Sequence, residues 1–230
     1  MNTLRVATWN VHGAVGLDRR CDPARIARIV VELDADVVAL QEVWLPRGRT
    51  ADFCVMLAGA SGLHCTFAPT FDKRGQPFGN ALLRRASALR DEVVDLAIGR
   101  REPRNAIDAL LDLDGMRLRV VATHLGLAAT ERHVQAGWLA QRVRADRTPC
   151  VVLGDFNEWR AVGALAPLRD MVAGRAPATF PSALPIASLD RILAQPASLV
   201  RERHVPASPL VRIASDHRPL VATIALDRLA

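Results

Sequence analysis

Apolar residues along the chain gather into short runs, several of them bounded by turn residues and separated by segments with a helical period, which predicts an α/β protein. Leu4 to Thr8 predicts a buried strand that ends in Trp9-Asn10-Val11-His12-Gly13, where polarity returns and glycine permits a turn. Asp22 is placed to cap a helix with Pro23 at its first position. Ile26, Ile29, Val30 and Leu33 follow at the spacing of a core-facing stripe. Asp36 to Leu40 is too short for a helix and β-rich, so it predicts a central strand running into Gln41-Glu42. The result is a strand–helix–strand unit.

A second helix is predicted around Phe53 to Ala60, followed by strands at His64 to Ala68, Asn80 to Leu83, Asp91 to Ile98 and Ala106 to Leu113, which read as antiparallel. Asp114-Gly115 between two apolar runs is a two-residue hairpin signal. The strand Leu118 to Thr123 ends at His124, and a helix from about Thr130 to Ala145 is predicted to set Val134, Trp138, Leu139 and Val143 near one face. The strand Cys150 to Leu153 delivers Gly154-Asp155-Phe156-Asn157. Gly174 to Ala187 reads as a long loop, a kind often functional in compact domains. It leads to Ser188 to Leu193, and a last strand, Pro219 to Leu226, is entered through Ser215-Asp216-His217. With no repeat period and no linker, residues 1–230 are expected to form one domain.

Composition narrows this little. Half the residues are apolar and 23% charged, which excludes disorder as the main state, and no run approaches the length of a membrane span. The net charge of +6 is carried almost wholly by arginine, with Lys73 the one lysine. A positive field favours phosphate-bearing ligands, although arginine bias also follows base composition. Cys21, Cys54, Cys65 and Cys150 form no C-x-x-C pair, so no zinc or dithiol motif is legible and free thiols are expected. Structure begins by Leu4, leaving no room for a leader, so a cytoplasmic, monomeric protein is expected.

Function is read from repetition. Asn10/His12, Glu42, His124, Asp155/Asn157, Asp190 and Asp216/His217 each abut a predicted strand. One acidic residue after a strand is an ordinary cap, but six such clusters on one sheet system are expected to converge, because α/β sheets bind ligands at strand ends. Carboxylate and amide oxygens are hard donors, so Mg²⁺ or Mn²⁺ is the expected cofactor. Glu42 is the best ligand candidate, since a buried strand does not end in a bare carboxylate without a partner. Asp155 and Asn157, two apart, would point the same way in an extended segment and bind one metal edge or one water; an Asx-turn pair is the alternative. Asp190 beside His217 reads as a carboxylate fixing an imidazole, or as a structural dyad. No G-x-S-x-G elbow is present, which leaves water as the nucleophile for phosphoester hydrolysis.

Thr8-Trp9-Asn10-Val11-His12-Gly13, Leu40-Gln41-Glu42-Val43, Gly79-Asn80-Ala81-Leu82-Leu83, Thr123-His124-Leu125, Gly154-Asp155-Phe156-Asn157, Leu189-Asp190-Arg191-Ile192 and Ser215-Asp216-His217-Arg218-Pro219-Leu220 resemble, in order, the motif series of the endonuclease/exonuclease/phosphatase superfamily. The resemblance implies a four-layered α/β sandwich, two packed mixed β-sheets flanked by helices, and Mg²⁺- or Mn²⁺-dependent hydrolysis of phosphodiesters or phosphomonoesters. By similarity, Asn10, Glu42 and Asp216 belong to the metal site, and Asp155 orients or deprotonates water with Asn157 beside it. His217, held by Asp190, and His124 contact the phosphate, with His12 and Asn80 on the substrate side.

His12 stands where abasic-site nucleases of the superfamily usually carry an acidic residue, and Thr123-His124-Leu125 replaces a tyrosine-bearing motif. Both departures favour the branch resembling phosphatases, sphingomyelinases and small bacterial phosphodiesterases. The leading expectation is therefore hydrolysis of a small or phospholipid-derived phosphodiester. A DNA or RNA nuclease is the nearest alternative, and a non-catalytic phosphate-binding module a remote one. For the nuclease speak Phe71, Phe78 and Phe180 beside Lys73, Arg74 and Arg175, since aromatic-plus-basic loops grip nucleic acid. Arg104, in Arg100-Arg101-Glu102-Pro103-Arg104, is a candidate phosphate clamp; a solvated turn is the competing reading.

Overall fold

The computed structural model describes residues 3–45 and 48–228. One sheet contains β1 (Thr3–Asn10), β2 (Val37–Val43), β3 (His64–Lys73), β4 (Gln76–Arg84), β10 (Val200–His204) and β11 (Leu220–Ala225), in the order β10-β11-β1-β2-β4-β3. The other is β5 (Ala88–Asp95), β6 (Asn105–Leu113), β7 (Met116–His124), β8 (Cys150–Asp155) and β9 (Asp190–Gln195), in chain order. Each sheet is mixed: β1 pairs parallel to β2 and β7 parallel to β8, while the other named pairs are antiparallel. The two parallel pairs are bridged by α1 (Pro23–Glu32) and α3 (Ala129–Arg144), as parallel neighbours require a crossover.

Strand alternation divides the apolar residues into three layers of core. Leu4 and Val6 on β1, Val37 and Ala39 on β2, and Ala222 on β11 meet Ile107, Val120, Leu153 and Ile192 between the sheets. The opposite face of the first sheet, with Trp9, Leu40 and Leu83, packs on α1, α2 (Thr50–Ser61) and α4 (Pro209–Ala214). The outer face of the second, with Val121 and Val152, packs on α3 and a 3₁₀ segment, Gly163–Met171. Helix, sheet, sheet, helix is the expected four-layered sandwich.

Local chemistry accounts for several boundaries. Asp22 accepts a hydrogen bond from the Arg25 amide at 2.9 Å and Pro23 opens α1, while Ile26, Ile29, Val30 and Leu33 are all buried. Asp114 and Gly115 take φ of 56° and 89°, the left-handed pair that a tight β6–β7 hairpin needs.

The face predicted for α3 is wrong in part. Leu139 and Val143 are buried, but Val134 and Trp138 are exposed, and Arg132, Gln135 and Ala136 face inward instead. Two polar side chains outcompeted apolar ones because they satisfy buried backbone: Arg132 donates to the Gly126 and Leu127 carbonyls, and Gln135 bonds Gly126 N at 2.8 Å and Leu96 O at 2.9 Å. Among the described helices none is long and apolar enough to cross a membrane.

Beneath α3 lies a buried ion cluster. Asp108 on β6 accepts from Arg119 Nε at 2.8 Å and Arg142 Nε at 2.6 Å, and Arg142 also meets Glu92. Burial alone would raise the Asp108 pKa, but the two guanidiniums outweigh it and hold the carboxyl below its ordinary value. Asp108→Ala leaves Arg119 buried without its partner and is expected to cost about 3 kcal/mol in urea unfolding. The sign of the pH dependence follows. A depressed folded-state pKa adds stability that is complete above the unfolded carboxylate value and is lost as pH falls through the folded one. The wild-type advantage over Asp108→Ala should therefore shrink below about pH 4; a constant difference down to pH 2 would contradict it.

Candidate active site

The alternation that builds the central core also builds the site, because the same face of each strand turns polar at one end of the sandwich. On β1 the series Leu4, Val6, Thr8 ends in Asn10; on β7 Val120 and Ala122 lead to His124; on β8 Val151 and Leu153 lead to Asp155. The antiparallel β9 runs the other way, so Asp190 precedes Ile192 and Ala194. Parallel pairing sets His124 opposite Asp155, and antiparallel pairing sets Asp155 opposite Asp190. Gly154 is needed here: a Cβ would lie 1.9 Å from the Thr123 carbonyl oxygen.

Glu42 reaches the site by a local irregularity. The β2–β4 register shifts between Leu40 and Val43, and Glu42 takes φ 55°, which re-aims its side chain as β-bulges do. His12 and Asn157 also sit at positive φ, 48° and 52°, a cost of about 1 kcal/mol each held by the surrounding contacts.

Asp155 Oδ2 is the focus. Asn10 Nδ2 lies 3.1 Å from it, His124 Nε2 3.5 Å and His217 Nε2 3.7 Å. Asn10 Nδ2 also donates to Glu42 Oε1 at 3.1 Å within its own sheet, while its bond to Asp155 ties the two sheets together. On the solvent side His12 Nδ1 stands 3.8 Å from Glu42 Oε2 and 3.4 Å from Asp216 Oδ2. The His217 Nδ1 contact to Asp190 Oδ2 is 2.8 Å, and the Thr179 hydroxyl donates to the same oxygen at 2.6 Å.

Burial raises the Asp155 carboxyl to about 6, with Asp190 adding to the rise, while His217 and hydrogen bonds from Asn10 and Asn157 moderate it. Burial disfavours the His217 imidazolium, yet Asp190, then Asp155 and Asp216, outweigh it and bring that pKa up to about 10. His124 is held well below its usual value by burial, with the Arg104 and His217 charges adding to it. Arg104 Nη1 lies 3.3 Å from His124 Nδ1 and the Asn157 side-chain Nδ2 lies 3.1 Å from its Nε2, so both ring nitrogens face donor groups.

A sequence profile of the Endonuclease/Exonuclease/phosphatase family matches residues 7–217. The chain belongs to that family. Family members are hydrolases acting on phosphoester bonds and are generally dependent on divalent metal. Escherichia coli YbhP, an uncharacterized protein, is 28% identical across 97% of each chain. Two solved family structures share the fold: one from Bacteroides vulgatus, with TM-score 0.80, 20% identity and coverage of 97% of this chain and 99% of that one; and one from Beutenbergia cavernae, with TM-score 0.77, 24% identity and coverage of 98% and 72%.

Within this family fold, Asn10, Glu42, His124, Asp155, Asn157, Asp190 and His217 are drawn into one hydrogen-bonded and ionic cluster, with His12 and Asp216 at its rim and Arg104 behind His124. Among the described residues Asn80 makes no hydrogen bond to this cluster; its amide donates to Asn105 Oδ1 at 2.9 Å, linking β4 to β6. Two expectations change. Asp155 to Asn157 is not extended, because the Asn157 amide folds back onto Asp155 Oδ1 at 2.9 Å in an Asx turn and its side chain reaches Leu125 O and His124 instead. Glu42 is partly exposed, while the fully buried carboxylates of the site are Asp155 and Asp190. Two further residues, Thr179 and Asn105, are not among those the sequence singles out. Asn105 had a signal, since it shares the strand face of Ile107, whereas Thr179 reaches Asp190 from the long loop and had none.

Neither Glu42 nor Asp216 pairs with Arg or Lys among the described residues, and Asp216 takes only the Ser215 hydroxyl besides His12. Two carboxylates and the Asn10 amide oxygen, without a fixed cation, are the donor set that suits a hard divalent ion. A second set, Asp155, Asp190 and His217, has ligand atoms within 4.8 Å of one another, but His217 Nδ1 is already committed to Asp190. The oxygen-only rim set fits Mg²⁺ or Mn²⁺ better.

Proposed function

We propose that the protein hydrolyses a phosphodiester, small or phospholipid-derived, by attack of water in the presence of Mg²⁺ or Mn²⁺. The observation that carries this reading is the ring of donors around Asp155 Oδ2, with Asn10, His124 and His217 on one oxygen and two uncompensated carboxylates alongside. Among the described residues no serine, threonine or cysteine side chain bonds that oxygen, so the nucleophile is water rather than the chain itself.

Asn10, Glu42 and Asp216 would hold the ion, which when bound supplies Lewis-acid stabilisation of phosphoryl charge. Asp155 carries the carboxylate that orients water and takes its proton, with Asn10 and the Asn157 amide fixing its two oxygens. His217, protonated and held at Nδ1 by Asp190, presents Nε2–H to a phosphate oxygen; His124 is the second phosphate-contacting side chain, with Arg104 behind it. Asn157 keeps the Asp155 loop closed, and Asn80 keeps β4 on β6. His12 at the rim adds no negative charge where the ligand enters.

The aromatic-basic loops do not favour a nucleic-acid grip, because Lys73 Nζ lies over the Trp44 and Phe78 rings, Phe71 stacks on Phe78 and Phe180 packs on His217. Bis(4-nitrophenyl) phosphate should therefore be hydrolysed with Mg²⁺ or Mn²⁺ and an abasic-site duplex incised feebly at physiological salt. Preference for the duplex by about 10²-fold or more in kcat/KM, about 2.7 kcal/mol, would replace this reading with the nuclease.

A further inference from the structure

Beside the site, where the edge strands β9 and β10 approach, lies a cavity of about 400 Å³ that the reaction described above does not use. Four arginines line it, Arg160, Arg175, Arg191 and Arg203, and no acidic residue does. Arg191 is 94% buried by its 6% exposure, yet among the described residues it meets no carboxylate; its two terminal nitrogens hold the carbonyls of Glu158, Arg160 and Ala161. Arg203 spends Nη1 on the Ala173 carbonyl, and the Nε atoms of both residues are buried without an acceptor. The carboxylate of Glu158 is taken by Arg132 and by the Arg160 and Ala164 amides. Burial lowers the pKa of both Arg191 and Arg203, with the nearby Glu158 charge opposing the shift at Arg191.

The cavity is linked to the catalytic end by an aromatic chain. Trp159 forms its rim and meets Phe180 edge-on at 5.9 Å, and Phe180 lies 4.8 Å from the His217 ring. We infer that this cavity is an anion subsite that receives a second phosphate group of the substrate, so that the preferred substrate is a small phosphodiester carrying another phosphate two aromatic rings away from the scissile one. Guanidinium is the side chain suited to it, with forked donors that match phosphate oxygens. The substrate half of the inference rests on the phosphodiesterase reading; the anion half does not.

Two chromogenic esters with one scissile bond test it: thymidine 5′-(4-nitrophenyl phosphate) and its 3′-phosphorylated form. Wild type should favour the 3′-phosphorylated ester by about tenfold or more in kcat/KM, the effect of roughly one charge-assisted contact. Arg175→Gln with Arg203→Gln should bring the ratio to about one while leaving bis(4-nitrophenyl) phosphate turnover unchanged. Arg175 is exposed, so Arg175→Gln alone is a fold-neutral version with a smaller loss of the same kind. In a metal-free calorimetric titration, pyrophosphate should bind wild type and lose most of its affinity for the double variant. Equal kcat/KM for the two esters in wild type, or pyrophosphate binding unchanged by the double substitution, overturns the subsite. Failure to cleave either ester sinks the phosphodiesterase reading instead, and the pyrophosphate titration then decides the cavity alone.

Discussion

Glu42→Ala is expected to lower kcat/KM on a phosphodiester by about 10³-fold or more, about 4 kcal/mol of transition-state stabilisation. Glu42 sits on the β2 bulge with Oε1 held by Asn10 Nδ2 and Oε2 facing His12, as Asp216 does, so its loss removes a charged oxygen from a donor set that has no Arg or Lys partner among the described residues. The side chain is partly exposed and anchors no core, so the melting temperature should move little. Glu42→Gln separates charge from shape: it keeps the amide contact but should be nearly as inactive. Full turnover by Glu42→Gln would show that the carboxylate holds no ion.

The second large effect belongs to His217 and Asp190. Each of His217→Ala and Asp190→Asn should lower kcat by about 10²- to 10³-fold, and the double variant should be hardly worse than His217→Ala, because Asp190 acts by holding and charging the imidazole. The geometry is a 2.8 Å contact between two buried groups, with the Thr179 hydroxyl on the same carboxylate oxygen. Thr179→Val should accordingly give a milder version of the Asp190 defect. Losses that multiply across the double variant would mean that the two residues act separately.

The parts of this fold legible in the sequence are those whose signals are local. The Asp22-Pro23 cap, the stripe from Ile26 to Leu33 and the Asp114-Gly115 turn each require only neighbouring residues, and each took the expected form. The face of α3 is not legible because its inward orientation is decided by carbonyls of distant segments that Arg132 and Gln135 satisfy. Two short elements, β10 and α4, have no full period in which to show a pattern. The long loop at Gly174 was legible as a loop, but Thr179, its most consequential residue, acts through a contact eleven positions away.

The site was legible for a different reason. Each polar cluster continues the inward face of its own strand, so the alternation that marks Leu4 and Val6 as core also points Asn10 at the space between the sheets, and the same holds for His124 and Asp155. What alternation cannot supply is departure from itself. Glu42 enters through a bulge and Asn157 through an Asx turn, both at positive φ, and neither residue type nor spacing marks those bends.

Hydrolysis of bis(4-nitrophenyl) phosphate by metal-stripped protein to which Mg²⁺ or Mn²⁺ is returned, with wild type and Asp155→Asn side by side, is the most direct test of the proposed chemistry. The predicted result is no turnover in excess chelator, recovery in wild type that saturates with added ion, and at most about one-hundredth of that rate in Asp155→Asn at every ion concentration. Undiminished hydrolysis in chelator, or an Asp155→Asn variant as fast as wild type, would contradict it.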